Sequence, residues 1–455
     1  MVQVVTVVGA GGTTVPVTVN GSQAYSLAKL YANAVNSAAS GGSFAVTEGP
    51  GNGAPVTGSP GSSVNEFVAT SGGYFTYPSG YNYFTTDTVS HVFVDASAAT
   101  AAMTLHTLVG TGGATYMAGS ETGTFIAGGG NNLFINSGAG AYTIATSDGN
   151  DSIFAGSGAT YVAAGTGSNM VTLGSGMDTV QSDGTDRIYA GTGADSVILT
   201  GSASTVYGST GSLVVDDAAT GTSISGGSGN VTLTGGTSGF YSLAGASTVY
   251  SGTSDTITAS GNTTVYDSGA GTNFIETGSA SLLFIGGNGT ATVNSGAGSA
   301  TVFGSNGSDI TYSGHGILVA GSGNETLNGS GSTQGFAGFV SNQVAAGNNS
   351  IAGGTGSDTL VAGLGTQTLT GGSGASNLFV IAANGTVSSA TITISDFGSA
   401  SGNLVGLFGY GSNEIANALA TATTSGSNTT ITLADSSKVT FLNVTSLNST
   451  SFTGV

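Results

Sequence analysis

Aliphatic residues recur along much of this chain with a period of nine. The spacing is nine, with one step of eight, through Ile144, Ile153, Val162, Val171, Val180, Ile188, Val197, Val206, Val215, Ile224 and Leu233. It returns at Ile351, Leu360, Leu369 and Leu378, with Gly, Ser, Thr, Asn and Asp between the aliphatic positions. Such a repeat is typical of a parallel β-roll, in which short strands stack their inward side chains. We therefore predict an all-β fold with a parallel β-solenoid over residues 126–385.

The two ends of the chain do not follow this period. Alternating residues in Val2–Val8 and Thr13–Val19 predict a β-hairpin, and Ser22–Ala39 predicts a helix that Ser22 caps. With the aromatic stretch Tyr74–Phe84, these segments predict a small mixed N-terminal capping or assembly domain over residues 1–125. Longer alternating runs predict a C-terminal β-cap over residues 386–455, because an open end strand would template uncontrolled pairing.

The composition favours a folded and strongly acidic protein. Hydrophobic residues make up 38% of the chain and recur in register, which argues against low-complexity disorder. The 82 Gly residues do not recur at every third position, which excludes collagen. Three basic residues against 22 acidic ones give a net charge of −19. Nucleic-acid binding needs clustered cations and is excluded. No run reaches the roughly 18 apolar residues of a membrane span, so we expect no membrane insertion.

One repeat matches a calcium-binding motif. The segment Gly353–Leu360 reads G-G-x-G-x-D-x-U, in which glycine turns and the Asp358 carboxylate supply oxygen ligands. Each coil of a β-roll uses two repeats, so ligands on one face recur about 18 residues apart. The spacing groups Asp178 with Asp195, and on the opposite face Asp151 and Asp186 with Asn169. We predict that some of these aspartates bind Ca²⁺; the alternative is that Ser, Thr and Asn hydrogen bonds close the turns without metal.

These repeats resemble the hemolysin-type, or repeats-in-toxin, proteins of Gram-negative bacteria. The segments Thr391–Gly398, Asn403–Gly411 and Thr430–Val444 are similar to the secretion domain of that family. Asn403 stands where the family usually has Asp, and most repeats lack their Asp. The resemblance implies export through type I secretion machinery by an uncleaved C-terminal signal, and a secreted, extracellular or cell-surface location. It covers residues 126–455 and does not extend to the first 125.

No catalytic constellation is apparent, so we expect that the chain is not an enzyme. His91, His106 and His315 are isolated, and there is no H-E-x-x-H motif. Arg187 beside Asp186 and near Asp183 is interpreted as a local ion pair, and the Ser residues of Gly-Ser-Gly turns have no partner base.

Two functional classes remain. The first is a structural protein that assembles with itself into an extracellular filament, surface layer or biofilm matrix. The second is an adhesin or carbohydrate-binding module whose partner is an extracellular polysaccharide and whose contact surface is the aromatic stretch Tyr74–Phe84. For those aromatics, packing inside the N-terminal domain is the simpler interpretation. A polysaccharide-modifying β-helix enzyme is a distant third.

Overall fold

The computed structural model describes residues 2–51, 62–77, 80–267, 271–276, 280–304, 309–320, 325–328, 337–340, 348–363, 365–373, 376–383 and 389–454. Within them the chain forms a parallel β-solenoid of about 15 turns, with 50% strand and two α-helices, as the nine-residue period predicts. No helix in the described part is long and apolar enough to span a membrane. The chain divides into two compact units, Met1–Thr232 and Leu233–Val455.

The first unit contains one α-helix and strands β1 to β21. Their bounds are β1 Val2–Val8, β2 Thr14–Asn20, α1 Ser22–Gly41, β3 Phe44–Gly49, β4 Val64–Ala69, β5 Gly73–Thr76, β6 Tyr83–Thr86, β7 Val92–Ala96, β8 Thr104–Val109, β9 Ala114–Ala118, β10 Thr122–Ala127, β11 Leu133–Asn136, β12 Tyr142–Ala145, β13 Ser152–Phe154, β14 Thr160–Ala163, β15 Met170–Thr172, β16 Thr179–Ser182, β17 Arg187–Tyr189, β18 Asp195–Leu199, β19 Thr205–Tyr207, β20 Leu213–Asp217 and β21 Ser223–Ser225. Strand β22, Val231–Thr234, crosses the boundary between the units.

The second unit contains the remaining described elements. They are β23 Phe240–Leu243, β24 Ser247–Ser251, β25 Asp255–Ala259, β26 Thr263–Asp267, β27 Gly271–Glu276, β28 Leu282–Ile285, β29 Thr290–Phe303, β30 Asp309–Ala320, β31 Glu325–Asn328, β32 Ala337–Val340, β33 Asn348–Ala352, β34 Thr359–Ala362, β35 Thr366–Thr370, β36 Leu378–Ala382, β37 Thr391–Ile394, β38 Leu404–Phe408, α2 Glu414–Ala420, β39 Thr423–Ser425, β40 Asn428–Thr432, β41 Lys438–Phe441 and β42 Phe452–Gly454.

From β4 onward, successive strands of the first unit alternate between two parallel sheets. The first sheet runs through the even-numbered strands β4 to β20, and the second sheet through the odd-numbered strands β5 to β21. Inward side chains stack in register within each sheet, for example Ile144 on Val162 on Val180 in the first, and Ile153 on Val171 in the second. All five are fully buried. The nine-residue period is therefore half of an 18-residue coil, because each repeat supplies one strand to one sheet.

The parallel coils begin at Phe44 rather than near residue 126, so most of the described residues before 126 belong to the solenoid. Strand β3 pairs with β4, β4 with β6 and β6 with β8, all in parallel. The period is hidden here because the coils differ in length, with Glu66 pairing with Tyr83 and Tyr83 with His106. Large buried aromatics replace aliphatic residues at the inward positions, namely Phe67, Phe75 and Phe84.

A hairpin and a helix cover the outer face of the first sheet. Strands β1 and β2 pair antiparallel, as predicted, and form a two-stranded sheet. Helix α1 starts after Gly21, so Ser22 is its first helical residue and not its cap. The helix ends at Gly41, and the next residue, Gly42, takes the left-handed conformation (φ 74°). Buried residues of these elements pack against outward side chains of the first sheet; the cluster includes Val7, Val17, Ala28, Val35, Leu108, Ile126, Ala145 and Ala163.

The second unit is built in the same way and ends in a cap. Strands β33, β35 and β37 form one parallel ladder, and β34, β36 and β38 form another. The first ladder continues into β41, which pairs antiparallel with β40, and β40 pairs antiparallel with β39. The register of β29 against β30 shifts between Asn294 and Ser299, in the part of the chain where the nine-residue period slips.

Glycines allow the turns of neighbouring coils to touch. A Cβ atom on Gly191 would lie 1.5 Å from the carbonyl oxygen of Gly174, and one on Gly174 would lie 1.7 Å from that of Gly156. No side chain fits at these distances, so the turn positions require glycine because of close approach between backbones.

We predict that Gly191→Ala destabilises the first unit by about 3 kcal/mol, because the coil below must move to admit a methyl group. The free energy of unfolding from denaturant titration measures the effect. Gly41→Ala is the control, since a Cβ there meets no atom within 4 Å. Equal stability of the two variants would contradict the stacked turns.

Candidate functional site

The five aspartates predicted as calcium ligands all lie in the same structural position. Each ends a turn directly before a strand or opens that strand, as Asp195 does in β18. Each is almost completely buried, with 1–3% of its surface exposed: Asp151, Asp178, Asp186, Asp195 and Asp358. Their carboxyl groups therefore act inside the solenoid, between one coil and the next.

On one side of the first unit these residues form a continuous series of hydrogen bonds, the first acceptor ladder. The Oδ1 atom of Asn132 accepts the backbone N–H of Ala114 (2.8 Å), and Asp151 Oδ1 accepts that of Asn132 (2.7 Å). Three further coils repeat the bond at 2.9 Å, with Asn169, Asp186 and finally Ser204 Oγ as acceptor. Each side chain thus accepts the backbone N–H of its equivalent in the preceding coil.

A shorter series, the second acceptor ladder, joins Asp178 and Asp195. Asp178 Oδ1 accepts the N–H of Thr160 (2.7 Å), and Asp195 Oδ1 accepts that of Asp178 (3.2 Å). The other oxygen of Asp195 accepts the N–H of Gly191 within its own turn (2.7 Å). The 17-residue spacing therefore does bring these two aspartates together, but the contact joins the backbone N–H of Asp178 to the carboxylate of Asp195.

The motif around Asp358 uses the same bonds in the second unit. Asp358 Oδ2 accepts the N–H of Gly354 (2.9 Å), and the N–H of Asp358 donates to Asn377 Oδ1 (2.9 Å). The N–H of Asn377 donates in turn to Asn403 Oδ1 (2.8 Å). Asn403, which departs from the secretion-domain pattern, is therefore the last acceptor of this series.

Burial raises the pKa of the carboxyl groups in both ladders. The pKa of Asp178 is raised to about 6 by burial and by the neighbouring Asp195, against the hydrogen bond from Thr160. Burial also raises the pKa of Asp151, Asp186 and Asp195, and their hydrogen bonds act in the opposite direction. Desolvation penalises the charged form of these groups, whereas a neutral amide accepts the same N–H without this penalty.

These residues do not fit a calcium site. Calcium takes six to eight oxygen ligands, whereas most of the carboxylate oxygens here face N–H donors. One oxygen each of Asp151 and Asp178 has no hydrogen-bond partner among the described residues, and the two belong to different ladders. The described part of the chain contains no group of three or more His, Cys, Asp or Glu side chains able to hold a metal. Calcium binding by these aspartates stays a prediction of the repeat motif and its spacing.

The expected ion pair of Arg187 is not formed. Asp186 accepts hydrogen bonds from the side-chain amide of Asn169 and from the hydroxyl of Ser182 (2.7 Å). Asp183 accepts a hydrogen bond from the hydroxyl of Thr200 (2.6 Å). Arg187 itself is exposed on the outward side of β17. The inward and outward alternation of the strand separates neighbouring residues onto opposite faces.

Sequence reasoning did not identify a buried acid beneath helix α1. Glu66 is completely buried and accepts a hydrogen bond from Thr85 Oγ1, which is 2.8 Å from the Tyr31 hydroxyl. Burial raises the pKa of Glu66 to about 7. Nearby, Leu27 and Leu30 of the helix and Tyr83 and His106 of the sheet line a groove of about 230 Å³. No motif marks Glu66, because its neighbours meet only in the folded chain.

Comparison with known proteins identifies no relative: no family model, no curated protein and no solved structure matches the chain.

We predict that Asp178→Asn stabilises the first unit at pH 7 by about 1 kcal/mol, because the amide keeps the acceptor for Thr160 without burying a charge. The raised pKa of Asp178 means that its favourable contribution is present below the unfolded pKa and is lost as pH rises through about 6. The advantage of the variant should therefore disappear at pH 4. Denaturant titrations at the two pH values measure it.

Asp216→Asn is the matched control, since it removes the same charge at an exposed position. A loss of stability in Asp178→Asn at pH 7, with the control unchanged, would instead show that the structure needs a charged carboxylate at this position.

Proposed function

We propose that this chain is a secreted structural protein that assembles with itself into an extracellular filament, surface layer or biofilm matrix. The observation that carries the proposal is the outer edge of strand β1, which offers backbone groups and exposed valines in a segment without charged side chains. Val2 is 68% and Val4 is 52% exposed. The chain carries a net charge of −19, but residues 1–28 contain no charged side chain. Copies of the protein that repel elsewhere can meet here.

The hydrogen bonds of β1 define which part of this edge is open. The N–H of Val8 donates to Asn36 Oδ1 (3.0 Å), and Asn36 Nδ2 donates to the carbonyl oxygen of Thr6 (2.9 Å). Backbone groups alternate in direction along an antiparallel strand, so those of Val2 and Val4 point to the same side. In the described part of the chain β1 pairs with β2 only. Asn36 therefore closes half of the edge and leaves the other half open.

The second unit offers an edge of similar chemistry. Strand β39 pairs with β40 on one side, its three residues are exposed, and residues 421–428 carry no charge. Pairing of β1 with β39 of another copy would join two different surfaces. Such a heterologous contact propagates without closing and builds filaments or sheets. Divalent cations would assist by neutralising the acidic surface.

We predict that Val4→Lys blocks assembly, because a lysine on an open edge must be desolvated when another strand pairs with it. Sedimentation and electron microscopy of the wild type should show ordered assemblies, and the variant should need at least about tenfold more protein to form them.

Val214→Lys is the matched control, since Val214 is 48% exposed on β20, a strand that is paired on both sides within the solenoid. Assembly should survive this substitution. A wild type that stays monomeric at high concentration would overturn the proposal, and assembly of Val4→Lys at wild-type concentrations would place the joint elsewhere.

Export is the second part of the proposal. The resemblance of residues 386–455 to a type I secretion domain supports it. A reporter fused to residues 386–455 should be exported by a Gram-negative host that carries type I machinery. The same reporter fused to residues 126–232 should remain inside. Retention of both fusions would contradict this mode of export.

A further inference from the structure

The outward face of the second sheet carries a row of large apolar side chains. On the eight strands β5, β7, β9, β11, β13, β15, β17 and β19, nine outward side chains are large and apolar or aromatic, and all are half-buried or exposed. We call them the apolar stripe: Tyr74, Phe93, Met117, Leu133, Ile135, Phe154, Met170, Tyr189 and Tyr207. The remaining outward positions carry Thr and Ser, with Asp95 and Arg187 as the only charges.

The parallel register places the outward positions in two straight rows, in which polar residues such as Thr115 and Thr172 alternate with the apolar side chains. Met117 pairs with Ile135, Ile135 with Phe154, and Tyr189 with Tyr207. The Tyr189 and Tyr207 rings stack with centroids 4.9 Å apart and an interplanar angle of 11°. Tyr74 and Phe93 stack at 5.0 Å at the other end. The stripe therefore carries one pair of stacked rings near each end.

A polar groove runs beside one end of the stripe. It has a volume of about 310 Å³ and is lined by Met170, Arg187 and Thr205 of the stripe's strands together with Ser168 and Thr185. Hydroxyl groups thus flank the apolar surface. A ligand that lies on the stripe can bury apolar atoms and form hydrogen bonds at the same time.

The size of the stripe argues for a narrow ligand. Seven strand spacings of about 4.8 Å give a length of ~34 Å, and two outward residues per strand give a width of ~10 Å. The resulting ~350 Å² is less than half of the ~800 Å² per partner in a stable protein interface. A second copy docked on this face alone would bind weakly, whereas a single extended polymer matches the dimensions.

The charge of the protein limits the chemistry of that polymer. A net charge of −19 opposes nucleic acids and anionic polysaccharides. A neutral polysaccharide combines apolar C–H faces with hydroxyl groups, which matches the side chains of the stripe and groove. We propose that the apolar stripe binds a neutral, extended polysaccharide. The aromatic stretch Tyr74–Phe84, which was expected to make this contact, contributes only Tyr74 to the stripe, since Phe75, Tyr77, Tyr81 and Phe84 are buried.

The test uses two soluble derivatives of one glucan, neutral hydroxyethyl cellulose and anionic carboxymethyl cellulose. Binding of the full chain is measured by affinity electrophoresis below the concentration at which it assembles, so the result does not depend on self-assembly. The wild type should bind the neutral polymer more tightly than the anionic one. Phe154→Thr with Tyr207→Ser should weaken binding at least about tenfold.

Both substitutions follow the pattern of the fold itself, because Thr172 and Ser225 occupy the same outward row on β15 and β21. Phe240→Ser is the control, since Phe240 is 60% exposed outside the stripe, and it should bind as the wild type does. If the double variant proves unstable by circular dichroism, Tyr74→Ser tests the other end of the stripe.

Absence of binding to the neutral polymer, or binding by the stripe variants that equals that of the wild type, would overturn the proposal. A double variant that loses assembly but keeps glucan binding would show that the stripe is an interface between copies.

Discussion

The structure depends on one requirement: the buried backbone N–H groups of a coil must find acceptors, most of them in a neighbouring coil. Within the strands, parallel pairing supplies carbonyl oxygens, but at the turns the backbone changes direction and the ladder would break. Side-chain oxygens take over at that point, as Asp151 does for Asn132 and Asp178 does for Thr160. Since a buried N–H without a partner is costly, the residue before each strand decides whether a coil can stack. The chain has no cysteine, so no disulfide substitutes for these bonds.

The same requirement explains the unusual composition. Stacked turns approach too closely for side chains, which demands glycine at positions such as Gly174 and Gly191. The buried acceptor must be short and polar, and Asn132, Asp186 and Ser204 all serve. Charged side chains contribute little to such a stack, and the chain has only 5% of them. The surfaces left over are rich in Val, Thr, Ser and aromatic residues, which suit contacts with other strands and with neutral polymers.

Much of the fold could be predicted from the sequence, because the inward side chains of a solenoid recur at a regular spacing along the chain. Ile144, Ile153 and Val162 appear as a nine-residue repeat and stack in two sheets. The start of the coils could not be predicted, since coils of unequal length carry aromatics such as Phe84 in place of aliphatics. The spacing located the buried aspartates, but their role as acceptors for backbone N–H groups was not predicted. The replacement of Asp by Asn169 and Ser204 at the same spacing was the available signal, because an N–H needs an acceptor and not a charge.

The most direct test is hydrogen exchange of single amides in a calcium-free solution that contains a chelator. The amide of Thr160, which donates to Asp178 Oδ1 at 2.7 Å, reports on one bond between coils. If the acceptor ladders hold the coils together, this amide exchanges slowly in the wild type and in Asp178→Asn, and quickly in Asp178→Ala. If the chelator alone makes it exchange as quickly in the wild type as in Asp178→Ala, metal and not the hydrogen bond holds the turn, and the account is wrong.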